Sequence, residues 1–319
     1  MPLINSTYKP PVGFKNAHVN TVYASQFRKV AGVDHTRERL WLDDGDFLDI
    51  DWSYAHGKKS ARGITAIFHG LEGNSKRPYM QGMAKILNQN GLDTVSINLR
   101  GCSGEQNLSY KTYHSGATED VEAVINHILK IDKYDFINLV GFSLGGNLIL
   151  KYLGEERERP KNIHKAVAIS TPVDLKESLD CLNQKINALY RWNFLLTLRG
   201  KFKQKLEKFN SDIDPKVVKK IKSFETFDEM YTAPAHGFDN AMDYYKKSSS
   251  SQFLKDIQVP TLLLNARNDT FMTGSCYPVQ QAESNQQFFL ETPYAGGHVG
   301  FVKHTPFYYS EERALAFLS

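Results

Sequence analysis

The stretch from Phe136 to Leu153 leaves few folds open to this chain. Phe136-Ile137-Asn138-Leu139-Val140 reads as a short buried strand, and Asn147 to Leu153 reads as a helix. Between them, Gly141-Phe142-Ser143-Leu144-Gly145-Gly146 has to turn sharply. A serine on such a turn sits in strained backbone and projects its hydroxyl above the sheet. Side chains at 141 and 145 would crowd both the turn and the strand–helix crossing, which is why glycine is needed there. The bare pattern G-x-S-x-G is weak, and the strand and helix around it give it weight. The expected geometry is that of an acyl-transfer nucleophile.

The rest of the chain supplies a sheet for this turn. Leu40 to Trp52 alternates apolar and polar residues around Asp44-Gly45, a hairpin signature with its polar side chains expected on the solvent side. Gly63–Phe68 is a nearly continuous apolar strand, and Tyr79–Leu87 is helical. Thr94–Leu99 returns to strand, and Ala117–Leu129 carries one apolar helical stripe. Ala166–Ile169 is a further strand. Repeated units of this length predict an α/β fold, a mostly parallel central sheet with helices on both faces.

After Pro172 the rhythm breaks. From Val173 to Phe253 the pattern is helical and lysine-rich, with no buried strand. Strands resume at Val259–Leu264 and Gln287–Leu290, and Glu311–Leu318 closes the chain as a helix. The expected organisation is a core in two parts, residues 1–172 and 256–319, with a helical cap at 173–255 inserted over the carboxyl ends of the strands.

A serine hydroxyl needs an imidazole to take its proton, and that imidazole needs a carboxylate to fix its tautomer. In this architecture the acid and the histidine follow the serine on later strand-end loops. Strand 261–264 runs into Asn265-Ala266-Arg267-Asn268-Asp269, and strand 287–290 leads to Gly296-Gly297-His298-Val299-Gly300. Asp269 is the candidate acid and His298 the candidate base. The oxyanion formed on attack needs preplaced donors. The backbone N–H of Leu144, at the start of its helix, is one candidate. The N–H of Leu71 in His69-Gly70-Leu71-Glu72-Gly73 is the other, with Gly70 as its alternative. His69, Gly70, Phe142 and His236 are candidates for lining the pocket or organising its loops, and His114 for fixing the start of the helix that follows it.

Hydrophobic residues at 41% and charged residues at 23% are ordinary for a globular chain of 319 residues. The formal charge of +4 comes with no nucleic-acid motif, so no nucleic-acid partner is expected. Cys102, Cys181 and Cys276 are far apart, and no histidine has zinc spacing, so neither a metal nor another cofactor is expected. Three scattered cysteines, no signal-like leader and no span-length apolar run point to a cytoplasmic protein without a transmembrane segment. Nine Lys or Arg residues fall between Arg199 and Lys222, against Glu207, Asp212 and Asp214. They form either a solvated helical face or a peripheral contact with anionic membrane through 199–222.

In combination, His69-Gly70-Leu71-Glu72-Gly73, Arg100-Gly101-Cys102-Ser103-Gly104, Tyr113-His114-Ser115-Gly116, Gly141 to Gly146 and Gly296 to Phe301 resemble a known family. It is the YheT/EMB8-like branch of the α/β-hydrolases, which includes the mammalian ABHD1/ABHD3-type proteins. The cap segments Thr232–Phe238, Tyr244-Tyr245 and Ser250–Leu254 resemble it too. The resemblance implies the α/β-hydrolase fold and triad roles for Ser143, Asp269 and His298. It also implies a serine esterase acting on a small-molecule or lipid ester, with lipase, phospholipase or acyltransferase chemistry as alternatives. In the acid loop the family usually has proline after the aspartate. Thr270 stands there in this chain, so a looser loop is expected.

Overall fold

The computed structural model describes residues 2–55, 61–210 and 213–319. Asp212 of the lysine-rich run lies outside the described residues. Nine strands form one sheet in the order β1-β9-β8-β7-β6-β4-β5-β3-β2. They are β1 (Leu3–Ile4), β2 (Thr36–Trp41), β3 (Phe47–Ser53), β4 (Gly63–Phe68), β5 (Asp93–Asn98), β6 (Phe136–Phe142), β7 (Ile163–Ile169), β8 (Thr261–Leu264) and β9 (Phe288–Glu291). β3 pairs antiparallel with both β2 and β5, and every other pairing is parallel.

Alternation along each central strand sends side chains to two cores. On β4, Ile64, Ala66 and Phe68 pack with helices α3 (Thr118–Lys130) and α4 (Leu144–Gly154), whereas Ile67 packs with α2 (Pro78–Gln89) and the closing helix Tyr309–Leu318. Two helical layers around a mostly parallel sheet explain why β4, β6 and β8 read as largely apolar runs.

The hairpin forms where expected, with Gly45 at φ +78° in its turn. Its polar side chains do not all face solvent, however. Asp49 and Asp51 of β3 are buried, with Arg39 and Arg37 of β2 folded over them at 2.8 and 2.7 Å. Alternation alone cannot separate a solvated carboxylate from one covered by a partner on the neighbouring strand.

Two features near the chain start have no counterpart in the sequence reading. β1 adds a parallel edge strand beside β9, and the short helix α1 (Ala17–Val22) runs into a π-helical turn, Tyr23–Phe27. Asn16 caps α1 by accepting from the Val19 amide.

Between β7 and β8 no strand occurs among the described residues. The chain instead forms α5 (Leu175–Asn183), the 21-residue α6 (Ala188–Lys208) and several shorter helices. Leu195, Leu198, Phe202, Leu206, Phe227 and Tyr231 build a separate apolar cluster here. A cavity of about 590 Å³ lies between this layer and the strand ends.

Candidate active site

Ser143 stands between β6 and α4, as the N-cap of the helix, with φ +52° and ψ −119°, a conformation disfavoured for any residue bearing a Cβ. The turn works because its glycines permit close backbone contact. A Cβ on Gly141 would collide with the Gly145 carbonyl, and one on Gly145 with the carbonyl oxygens of Phe68 and His69. Ser143 lines the cavity.

The structure brings Asp269 and His298 to this serine. His298 Nδ1–H donates to Asp269 Oδ2 at 2.7 Å, and Ser143 Oγ–H donates to His298 Nε2 at 2.9 Å. Asp269 and His298 are both buried. The carboxylate's other oxygen accepts from the Phe271 amide at 2.9 Å, and the Phe271 ring lies on the imidazole with centroids 4.3 Å apart. A carboxylate on Nδ1 fixes the tautomer that leaves Nε2 free to accept a proton.

The loop after β4 passes directly beside the serine. A Cβ on Gly70 would come within 2.9 Å of the Ser143 Cβ. The Gly70 N–H is directed to the Tyr79 hydroxyl at 3.3 Å, and the Glu72 N–H to the Tyr113 hydroxyl at 2.8 Å. Neither the Leu71 nor the Leu144 amide donates to another described group. Leu144 is the first residue of α4, where the helix supplies no acceptor for it. Both residues line the cavity.

The auxiliary candidates separate. His69 organises its loop: Nδ1–H donates to the Gly70 carbonyl at 2.7 Å and Nε2 accepts from the Leu99 amide at 3.1 Å. Full burial pushes its pKa down to about 4, so it stays neutral. His114 accepts from the Gly116 amide through Nδ1 at 3.1 Å and also lines the cavity. His236 packs against the His114 ring, centroids 4.3 Å apart, without reaching the cavity wall. Phe142 is likewise no lining residue, since it points to the opposite core and packs on Tyr79. Alternation explains this, because neighbours on a strand face opposite ways.

The segment 199–222 is not one solvated face. Lys205 is fully buried, donating to the Asn107 and Ser109 backbone and to Asn107 Oδ1, while Lys201 pairs with Glu72 at 2.8 Å. Lys203, Lys208, Lys216, Lys219, Lys220 and Lys222 remain exposed.

The acid loop is also firmer than its missing proline suggests. Thr270 Oγ1 donates to Asn187 Oδ1 at 2.9 Å, and Asn187 Nδ2 donates back to the Thr270 carbonyl at 2.7 Å. A buried cap side chain thus holds the loop by two hydrogen bonds.

Sequence reasoning missed the chain start as a support for His298. The Thr21 hydroxyl accepts from the His298 amide at 2.8 Å, and Asn20 Oδ1 accepts from the Val302 amide at 3.2 Å. Asn16 as a helix cap was the available signal for α1, but nothing in a six-residue helix announces contacts with residues so distant in the chain. Cys102, Cys181 and Cys276 are buried free thiols. Among the described residues, no cluster of His, Cys, Asp and Glu is placed to hold a metal, and no helix is long and apolar enough to cross a membrane.

A serine elbow at the carboxyl edge of such a sheet, beneath a helical layer, defines an α/β hydrolase. Residues 66–305 match the α/β hydrolase fold family, and the chain belongs to it. Within that family it falls on the branch of YheT and the ABHD1/ABHD3-type proteins. The YheT protein of Escherichia coli (strain K12), provisionally named an esterase, is 31% identical over 304 residues, covering 94% of this chain and 88% of its own. Phospholipase ABHD3 of Mus musculus is 30% identical over 309 residues, covering 95% and 75%. Among solved structures, the Pyrococcus furiosus esterase Pf2001 superposes with a TM-score of 0.57 at 17% identity, covering 91% of this chain and 97% of that one, a likeness of fold alone.

Proposed function

We propose that this protein is a serine hydrolase that cleaves carboxylic esters through an acyl-enzyme, with Ser143 as nucleophile, His298 as general base and acid, and Asp269 as the carboxylate that orients it. One observation carries the reading: a continuous hydrogen-bonded chain from Asp269 Oδ2 through His298 to Ser143 Oγ, opening into the cavity.

In this mechanism Ser143 Oγ bonds to the ester carbonyl carbon while its proton moves to His298 Nε2. The carbonyl oxygen becomes an oxyanion, met by the N–H groups of Leu71 and Leu144. Collapse breaks the bond to the leaving alcohol, which takes the proton from Nε2. Water then gives a proton to Nε2 as its oxygen attacks the acyl carbon, and breakdown returns that proton to Ser143. Asp269 stabilises the imidazolium throughout.

The substrate is proposed to be a short- to medium-chain acyl ester. A cavity of about 590 Å³ lies within the usual size of small-ligand sites, about 300–1,000 Å³. Its cap walls are mostly apolar, including Leu179, Leu182, Leu198 and Phe224, which suits an acyl chain. Those walls, together with a phospholipase and a Saccharomyces cerevisiae monoacylglycerol lipase among the relatives, support a lipase as the second reading.

Hydrolysis of p-nitrophenyl esters from acetyl to palmitoyl, with Ser143→Ala alongside, tests both. Turnover of the shorter esters, falling at least about a thousandfold in Ser143→Ala, is the expected result. A maximum at palmitoyl favours the lipase. Equal inactivity of both proteins on every ester removes the esterase reading.

A further inference from the structure

Helix α6 is apolar on two sides. One side, with Leu195, Leu198, Phe202 and Leu206, is buried in the cap. The other carries Leu189, Trp192 and Leu196 at helical spacing, left 71%, 60% and 53% exposed. Across the cavity mouth, the chain-start segment presents Val19, Tyr23 and Phe27 at four-residue intervals, 47%, 42% and 67% exposed. The two lips are joined where His18 Nδ1 bonds the Tyr190 hydroxyl at 3.1 Å. Leu189 and Trp192 also line the cavity, as do Val22 and Gln26, so the exposed apolar surface continues into the site. Apolar groups gathered around an opening in this way mark a contact surface rather than scattered exposure.

The charge on these lips has one sign. Residues 2–33 and 181–206 contain no aspartate or glutamate, while Lys15, Lys29 and Lys185 stand exposed on them. A symmetric dimer through this surface would bring the same lysines of two copies together. An anionic lipid surface satisfies both parts, taking the aromatic and aliphatic side chains into its interface and the ammonium groups against its headgroups. We infer that the rim formed by residues 15–29 and 185–196 seats the protein on an anionic lipid surface, with the cavity mouth facing the lipid. Lys201 and Lys205 contribute nothing to this contact, because both are turned toward the core. The seating does not depend on the proposed chemistry and requires no acyl transfer.

Vesicle flotation of the full chain as Ser143→Ala tests the inference without consuming the lipid. The protein is expected to float with phosphatidylcholine vesicles containing phosphatidylglycerol, and to do so less as salt is raised. Phe27→Ser with Leu196→Ser, at positions outside the cavity, is expected to lower the partition by at least about tenfold. The same pair in the Ser143 background is expected to leave hydrolysis of a soluble ester unchanged, showing that the fold survives. Lys15→Glu with Lys29→Glu and Lys185→Glu is expected to abolish the preference for phosphatidylglycerol. Undiminished flotation of the Phe27/Leu196 pair overturns the inference, as does equal binding to neutral and anionic vesicles. A dimer in solution that the Phe27/Leu196 pair converts to a monomer also overturns it, since a second copy then covers the rim. Absence of esterase activity in the protein that keeps Ser143, with flotation of its Ser143→Ala form intact, would count against the triad reading alone.

Discussion

Lys201 of the cap helix places its ammonium 2.8 Å from Glu72 Oε1, and Glu72 directly follows Leu71 in the loop beside Ser143. Glu72 has φ +53°, an uncommon conformation for a residue with a side chain. It is held there by bonds to its amide, its carboxylate and its carbonyl. Its amide donates to the Tyr113 hydroxyl, which donates back to Oε1 at 2.7 Å, and its carbonyl accepts from Arg77 at 3.0 Å. The Leu71–Glu72 peptide is therefore clamped between core and cap.

Lys201→Met is expected to lower kcat by about tenfold while KM changes by less than about twofold. A clamp on the peptide next to the one that carries the proposed oxyanion donor, the Leu71 N–H, acts on the transition state more than on the bound ester. Steady-state kinetics on p-nitrophenyl butyrate separates the two parameters. An effect confined to KM would instead make Lys201 part of substrate binding.

The same substitution at two glycines should have opposite effects. Gly145→Ala drives a Cβ into the backbone carbonyls of Phe68 and His69, neither of which can move without parting strand from helix. A loss above about 4 kcal/mol, or no folded protein at all, is expected. Gly200 lies inside α6 with nothing near the position of a Cβ. Gly200→Ala should stabilise by roughly 0.5–1 kcal/mol. Urea unfolding of both variants, or solubility for the first, decides the matter.

Asn187 is fully buried and bonds the Thr270 hydroxyl and carbonyl as well as the Cys181 carbonyl. Removing its amide in Asn187→Ala strands those groups, for a cost of about 1–3 kcal/mol. Because Thr270 adjoins Asp269, kcat should fall along with the urea midpoint. A stability loss with kcat intact would show that the Asp269 loop holds its position unaided.

Acid should destabilise the fold already above the ordinary carboxylate range. The folded pKa of His69 is pushed down to about 4, whereas an unfolded histidine titrates near 6.5. Between those values only the unfolded chain takes the proton, so stability falls as pH drops from about 6.5 toward 4, by on the order of 3 kcal/mol for this residue. His236, also lowered to about 4 by burial, acts in the same direction. Asp228 acts oppositely, since burial raises it to about 7 and the folded state gains that proton first. The Tm is expected to drop between pH 7 and 5, and the drop should shrink in His69→Gln. Equal slopes in the two proteins would remove His69 as the cause.

What could be read from the chain followed from local period and local sterics. β4, β6 and β8 announced themselves as apolar runs because both faces of the sheet are covered, and Ser143 because only glycines fit around its turn. Asp269 and His298 stood out as candidates from their order and from the strand ends that precede them. Long-range polar contacts were not. Asp49 and Asp51 look solvated until Arg39 and Arg37 are known to lie over them, and a run of lysines gives no sign that Lys205 is buried. Thr21 meets the His298 amide across 277 residues, a contact with no sequence period to reveal it.

That last contact bears on where the working unit begins. The family match starts at residue 66, and all three proposed catalytic side chains fall inside it. Yet the Ala17 carbonyl lies so near Gly297 that a methyl group there would strike it, and Asn20 and Thr21 receive amides from the loop that holds His298. A protein trimmed to the matched segment would keep its reactive groups and lose the wall against which the histidine is set. The smallest piece able to work therefore extends well beyond the smallest piece that can be recognised.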